Sequence, residues 1–310
     1  MTRTFFGTTL AASLALSACA SESQPPQSTA GADAAPQTQP APAALALQPF
    51  NPGENAIFKV ASTLITGEKD AVLIDAQFST LDAARLVELV RASGKRLTTI
   101  YISHGDPDFY FGLETLHTAF PEAKIVASPA TIAHILETKD KKLAYWGPIL
   151  GAGAPKTVIV PEPLQGDRIE LEGRSLDVIG LDGPTPDRTY LWIPSIRTVV
   201  GGIPVMAGEH VWMADTQTPE SHAHWLAQLD DIRTRKPDRV IPGHYAPTAA
   251  LDLAAVDFTA AYIRAYDEEA GKAKTSAALI DAMKRRYPDL GAQPSLELSA
   301  KVTTGEMRWP

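Results

Sequence analysis

The chain is 310 residues long, 45% hydrophobic, and carries a net charge of −8. That acidic balance, with no extended Lys/Arg cluster, excludes nucleic acid as a natural partner, because phosphate binding needs concentrated positive charge. A single cysteine excludes any intramolecular disulfide.

Arg3 precedes an apolar stretch from Phe5 to Leu16 that is too short to span a bilayer, so residues 1–18 are expected to be a signal peptide. The stretch ends in Leu16-Ser17-Ala18-Cys19, which resembles the bacterial lipobox and implies Cys19 as the lipid-bearing residue. Each buried acyl methylene would add about 0.8 kcal/mol of anchoring. The expectation is an exported protein attached by lipid to the periplasmic face of the bacterial outer membrane. Residues 19–44 are rich in Ser, Gln, Pro, Ala and Thr and cannot bury enough surface to offset chain entropy, so they read as a flexible tether. Residues 45–310 are expected to form one domain.

Ile57 to Val60 and Ala71 to Ile74 are short apolar runs around Gly67-Glu68-Lys69-Asp70, a pattern suited to a hairpin with Asp75 at a strand end. Ala83, Leu86, Val87 and Val90 then recur at helical spacing, with Gly94 suited to the C-terminal cap. Thr99 to Ile102 is a β-rich run that stops at Ser103-His104-Gly105-Asp106-Pro107-Asp108, and a helix is expected from Phe109 to Ala119. A strand series follows, at roughly 157–160, 168–171, 176–181, 189–193 and 198–200. Helical spacing returns at Trp225, Leu226, Leu229 and Ile232. Arg239 to Ile241 reads as a strand before the turn Pro242-Gly243-His244, and two helices are expected over about 251–271 and 275–287.

These residues, in this order, resemble the metallo-β-lactamase superfamily, in which an early strand ends in Asp, a strand-to-helix turn carries His-x-His-x-Asp-His, and a late strand ends in a Gly-His turn. Asp75, the turn from His104 to Phe109, and the run from Val240 to His244 stand in those places. The resemblance implies an αββα sandwich, an α/β fold with its site along one edge. Matched residue by residue, the turn gives His104 for the first His, Asp106 for the second, Asp108 for the Asp and Phe109 for the last His. Further on, Pro184 stands where a histidine is expected, and Gly202 where a bridging Asp is expected.

Two standard zinc sites cannot be assembled from these positions. What survives, His104, Asp106, Asp108 and His244, implies one divalent metal, zinc by resemblance, with iron or manganese open because carboxylates are enriched. Asp182 and Asp187, near the missing histidine, and His210 and Asp215, on the segment from Gly208 to Asp215, are further candidate ligands. Asp108 would steer or accept the proton of a metal-bound water.

Gly-Asp and Asp-Pro are ordinary turn dipeptides, so it is the position of His104 and Asp108 directly after a buried strand that marks them. Asp75 is expected to support the turn by hydrogen bonds rather than to bind metal. Tyr145, Trp146 and Trp212 either line a substrate pocket or complete the core. His117, His134, His222 and His224 fall on expected helices and receive no site role. The leading expectation is a metal-dependent hydrolase of a small acyl substrate: a lactone, an ester or a β-lactam-like bond. Its rival, favoured by Pro184 and Gly202, is a non-catalytic binding or scaffolding lipoprotein that has kept the fold and lost its metals. A catalytic site without metal has neither a Gly-x-Ser-x-Gly elbow nor a reactive cysteine to support it.

Overall fold

A computed structural model describes residues 44–309; the expected signal peptide, Cys19 and the tether through residue 43 lie outside the described residues. The first sheet runs in the order β1 (Ala46–Phe50), β2 (Ser62–Thr66), β3 (Asp70–Ile74), β4 (Arg96–Ile102), β5 (Lys124–Ala127) and β6 (Glu162–Pro163). β1, β2 and β3 pair antiparallel, and β3 through β6 pair parallel. Ala71, Val72, Leu73 and Ile74 are all buried, as a strand covered on both faces requires.

Four helices belong to this half: α1 (Thr80–Ala92), α2 (Pro107–Tyr110), α3 (Leu113–Ala119) and α4 (Pro129–Leu150). The Ser79 hydroxyl caps α1 by accepting the Asp82 N–H at 3.0 Å, and Gly94 just beyond its end takes φ +65°, as the spacing predicts.

The second sheet comprises β7 (Arg168–Leu171), β8 (Arg174–Ile179), β9 (Tyr190–Ile193), β10 (Thr198–Val200) and β12 (Arg239–Ile241), in the order β12-β10-β9-β8-β7. In edge strand β7, exposed Arg168 and Glu170 alternate with buried Ile169 and Leu171, so one face meets water and the other the core. A small parallel pair, β11 (Met206–Ala207) with β13 (His244–Tyr245), follows it. Helices α5 (Pro219–Thr234), α6 (Leu253–Ala270), α7 (Ser276–Arg286) and α8 (Gln293–Thr303) complete the described residues. One hydrophobic cluster takes in Leu73 and Ile100 of the first sheet together with Leu191 and Val199 of the second, giving the αββα sandwich.

Several expected elements move. The partner of β3 in the hairpin is β2, not Ile57–Val60, which keeps only a bridge from Val60 to His244. The expected strand over 157–160 is irregular chain, and the helix expected over 109–119 breaks into α2 and α3 at Gly112. A Cβ at Gly112 would stand 1.9 Å from the Ala76 carbonyl oxygen, so that close approach, not helix propensity, decides the break. β1, β2, β5, β6, β11, β13, α4 and α8 had no bounds from the sequence.

Candidate functional site

The site is built where the two sheets present their ends. β4 delivers Ser103 and His104, and a bridge between His104 and Arg188 ties that turn to the chain entering β9. Asp75, at the end of β3 with φ +61°, accepts the Ser103 N–H at 2.8 Å and the Ser103 hydroxyl at 2.7 Å. It therefore supports the turn. Burial pushes its carboxyl up to about 7 against the pull of those two bonds. Gly105 is dictated by packing, since a Cβ there would lie 2.6 Å from Cδ2 of His134 on α4.

The predicted residues His104, Asp106, Asp108 and His244 come together as two pairs. The His104 Nδ1–H donates to the Asp187 carbonyl at 3.0 Å, and Nε2 lies 3.1 Å from Asp106 Oδ2. A carboxylate accepts only, so both contacts are hydrogen bonds when the ring is an imidazolium. Burial opposes that charge, yet Asp106 beside it raises the His104 pKa above the ordinary value.

Lys142, reaching in from α4, forms an ion pair with the other oxygen of Asp106. His134 Nε2 stands 3.9 Å from the same oxygen. Although burial works against the Asp106 carboxylate, the Lys142 ammonium and then His104 hold it well below the usual range. In the second pair, His244 Nε2 is 3.0 Å from Asp108 Oδ2. Phe109 sits between the pairs, its ring centroid 5.3 Å from that of His104 and 5.5 Å from that of His244, edge to face with each.

The additional candidate ligands do not join them. Asp182 is exposed on the loop before β9, and Asp187 contributes its main-chain carbonyl to His104 rather than its carboxylate. His210 is buried away from the pairs, with Nδ1 on the Tyr262 hydroxyl at 2.9 Å, and burial lowers its pKa to about 4. Asp215 is held by indoles: it accepts the Trp309 N–H at 2.6 Å and that of Trp212 on its other oxygen.

Above the pairs opens a cavity of about 600 Å³ whose floor includes Asp106, Asp108, Lys142 and His244. Its walls are aromatic. Phe58 lies 6.0 Å from Trp212, Trp212 5.4 Å from Trp309, Trp309 6.3 Å from Tyr145, Tyr145 4.9 Å from Trp146, and Trp146 5.3 Å from Phe58. The ring contacts thus form a closed circuit. Tyr145, Trp146 and Trp212 all line the cavity, and Trp146 and Trp212 pack against the core as well, so for those two both readings of the sequence hold. Lys142, Phe58 and Trp309 were not foreseen. One signal pointed to Lys142: it lies three and four residues before Tyr145 and Trp146, hence on their face of a helix.

A sandwich of this topology, with its site at the strand ends, defines the class: the sequence pattern of the Metallo-beta-lactamase superfamily matches residues 57–244, and the chain belongs to that family. The superfamily is broadly one of hydrolases, includes non-catalytic members, and typically binds zinc. Among solved structures, the metallo-beta-lactamase from Pontibacter korlensis is 17% identical with a TM-score of 0.52, covering 73% of this chain and 97% of that one. The DIM-1 metallo-beta-lactamase exposed to ceftazidime is 18% identical with a TM-score of 0.49, covering 73% of this chain and 95% of that one. FIM-1 from Pseudomonas aeruginosa, solved in a mono-zinc form, is 15% identical with a TM-score of 0.49, covering 71% and 91%. At 17% identity the likeness to the first of these is one of fold alone. No curated protein sequence matches the chain.

The residues present can be tested against the family's metal. A divalent ion needs a lone pair on each ligating imidazole and converging donors, and a catalytic one an open position besides. Among the described residues no three His, Cys, Asp or Glu side chains converge in that way. His104 turns both nitrogens to acceptors, Lys142 occupies Asp106, and Phe109 separates the histidines. At Gly202, φ is +79° and a Cβ would meet the Thr189 carbonyl oxygen at 2.0 Å, so no bridging carboxylate can stand there. The set as arranged does not fit the metal centre.

Proposed function

We propose that this chain binds a small molecule in the aromatic-walled cavity and does so without a resident metal. The observation that carries the reading is Lys142 paired with Asp106 on the cavity floor. There a fixed ammonium supplies the positive charge that buried carboxylates need, as a divalent ion would. The rival anticipated from Pro184 and Gly202, a binding protein that has kept the fold and lost its metals, is thereby preferred to a metal-dependent hydrolase.

A second reading, hydrolysis of a small lactone, ester or β-lactam-like bond, is favoured by the other pair. Asp108 and His244 face the same cavity 3.0 Å apart. Accepting the Nε2–H, Asp108 would fix the imidazole tautomer, leaving Nδ1 with the lone pair that takes a proton from water. Asp108 then orients the base rather than acting as one.

Elemental analysis decides the first point. Full-length protein, purified without chelator and then offered zinc, iron or manganese, should retain no stoichiometric metal, and chelator should leave its melting temperature unchanged. One retained equivalent, lost in both His104→Ala and His244→Ala, would instead establish the metal centre. Turnover of an acyl substrate by metal-free protein, abolished in His244→Ala, would establish the second reading.

A further inference from the structure

We infer that the cavity's ligand is an organic cation, an ammonium group carried on an apolar body; this rests on the reading of the cavity as a small-molecule site. The first support is the closed ring circuit of Phe58, Trp212, Trp309, Tyr145 and Trp146. Aromatic rings attract cations through their quadrupoles, and several rings lining one cavity are the arrangement that holds a quaternary ammonium without hydrogen bonds.

The second support is charge. Four carboxylates line the cavity, Glu54, Asp106, Asp108 and Glu209, against two ammonium groups, Lys59 and Lys142. Each lysine already has its partners: Lys59 is bonded to Glu54 and Glu209, and Lys142 to Asp106. Asp108 pairs with the imidazole of His244 and lies in the field of Lys142 as well, so four carboxylates against two ammonium groups leave the lining with a negative excess while both of its lysines are engaged. An anionic ligand would have to displace one of those ion pairs, whereas a cation adds to the field that is there.

The third support lies behind the wall. Asp215 accepts the indole N–H groups of Trp212 and Trp309, which are both lining residues. An N–H bond to a carboxylate pushes electron density into the indole and makes its π face more attractive to a cation.

The test uses quenching of intrinsic tryptophan fluorescence in the full-length protein, with choline, its neutral carbon isostere 3,3-dimethylbutan-1-ol, and benzoate as probes. Choline should bind about tenfold or more tightly than the isostere, since the two differ only in charge. Trp146→Leu and Trp212→Leu, checked for folding by circular dichroism, should each weaken choline about tenfold, while Trp212→Phe, which keeps a ring but loses the N–H bonded to Asp215, recovers only part of the affinity. Equal binding of choline and isostere, or tighter Trp146-dependent binding of benzoate, would overturn the cation and leave the cavity as a ligand site. No quenching by any probe, in wild type and variants alike, would overturn both readings.

Discussion

A half-buried carboxylate persists at Asp106 because cations surround it, and Lys142 is the nearest of them. Lys142→Met keeps most of the length of the side chain and removes the charge. Asp106 would then keep His104 and the more distant His134, and unfolding in urea should require about 3 kcal/mol less. No change in stability would mean that the ion pair is not formed in solution. Asp75 gives a second test at the same scale. Its carboxyl, raised by burial to about 7 from the ordinary 3.8, binds its proton more tightly folded than unfolded. This group's stabilising contribution is therefore complete below about pH 4 and is lost as pH rises through 7. Asp75→Asn preserves an acceptor for the Ser103 N–H and can donate to the Ser103 hydroxyl, so its stability should vary less between about pH 5 and 8. Parallel curves for variant and wild type would show that Asp75 is ionised throughout. His104, Asp106, Asp108 and His244 were legible in the sequence because strand-to-turn positions are marked by apolar runs ending in polar residues. Lys142 was not read, because its one local mark, the spacing of three and four residues to Tyr145 and Trp146, gains meaning only once those rings are known to line a cavity.

At the scale of the element, α4 contributes Lys142, Tyr145 and Trp146 to the cavity and received no bounds from the sequence. Only Thr131, Ile135 and Lys142 are buried along its length, so it lacks the apolar stripe that gives α1 away. Ile135 joins the core, with Ile132, Leu143 and Leu150 packed against it, while Lys142, Tyr145 and Trp146 line the cavity. The chain after β10 shows the opposite case, where one backbone position closes a chemical option. Gly202→Asp returns the acidic residue that the family places there, yet it puts a Cβ 2.0 Å from the Thr189 oxygen at φ +79°. The variant should lose stability on the order of several kcal/mol and gain no metal affinity. A folded Gly202→Asp protein that takes up zinc would show that the Thr189 strand can yield.

Across the whole molecule, the site exists because two distant stretches bridge: His104 to Arg188, and Val60 to His244. The sandwich was readable from the order of strands, turns and helices. Which partners those strands find is a long-range matter that local periodicity does not encode, and β1 and the Val60 bridge went unread for that reason. Membrane attachment belongs to this scale too. We propose that Cys19 bears the anchor, and Cys19→Ser should move the protein from the membrane to the soluble fraction on cell fractionation. Retention in the membrane would point to another attachment.

The wall formed by Trp212 and Trp309 also has an optical consequence. Their ring centres are 5.4 Å apart and their planes inclined at 71°. Two indoles so placed share their electronic excitations, and a chiral pair of coupled chromophores yields bands of opposite sign in ultraviolet circular dichroism. The C-terminal tryptophan thereby turns the cavity into its own gauge, since any guest that spreads the two rings must shrink that doublet with no dye attached.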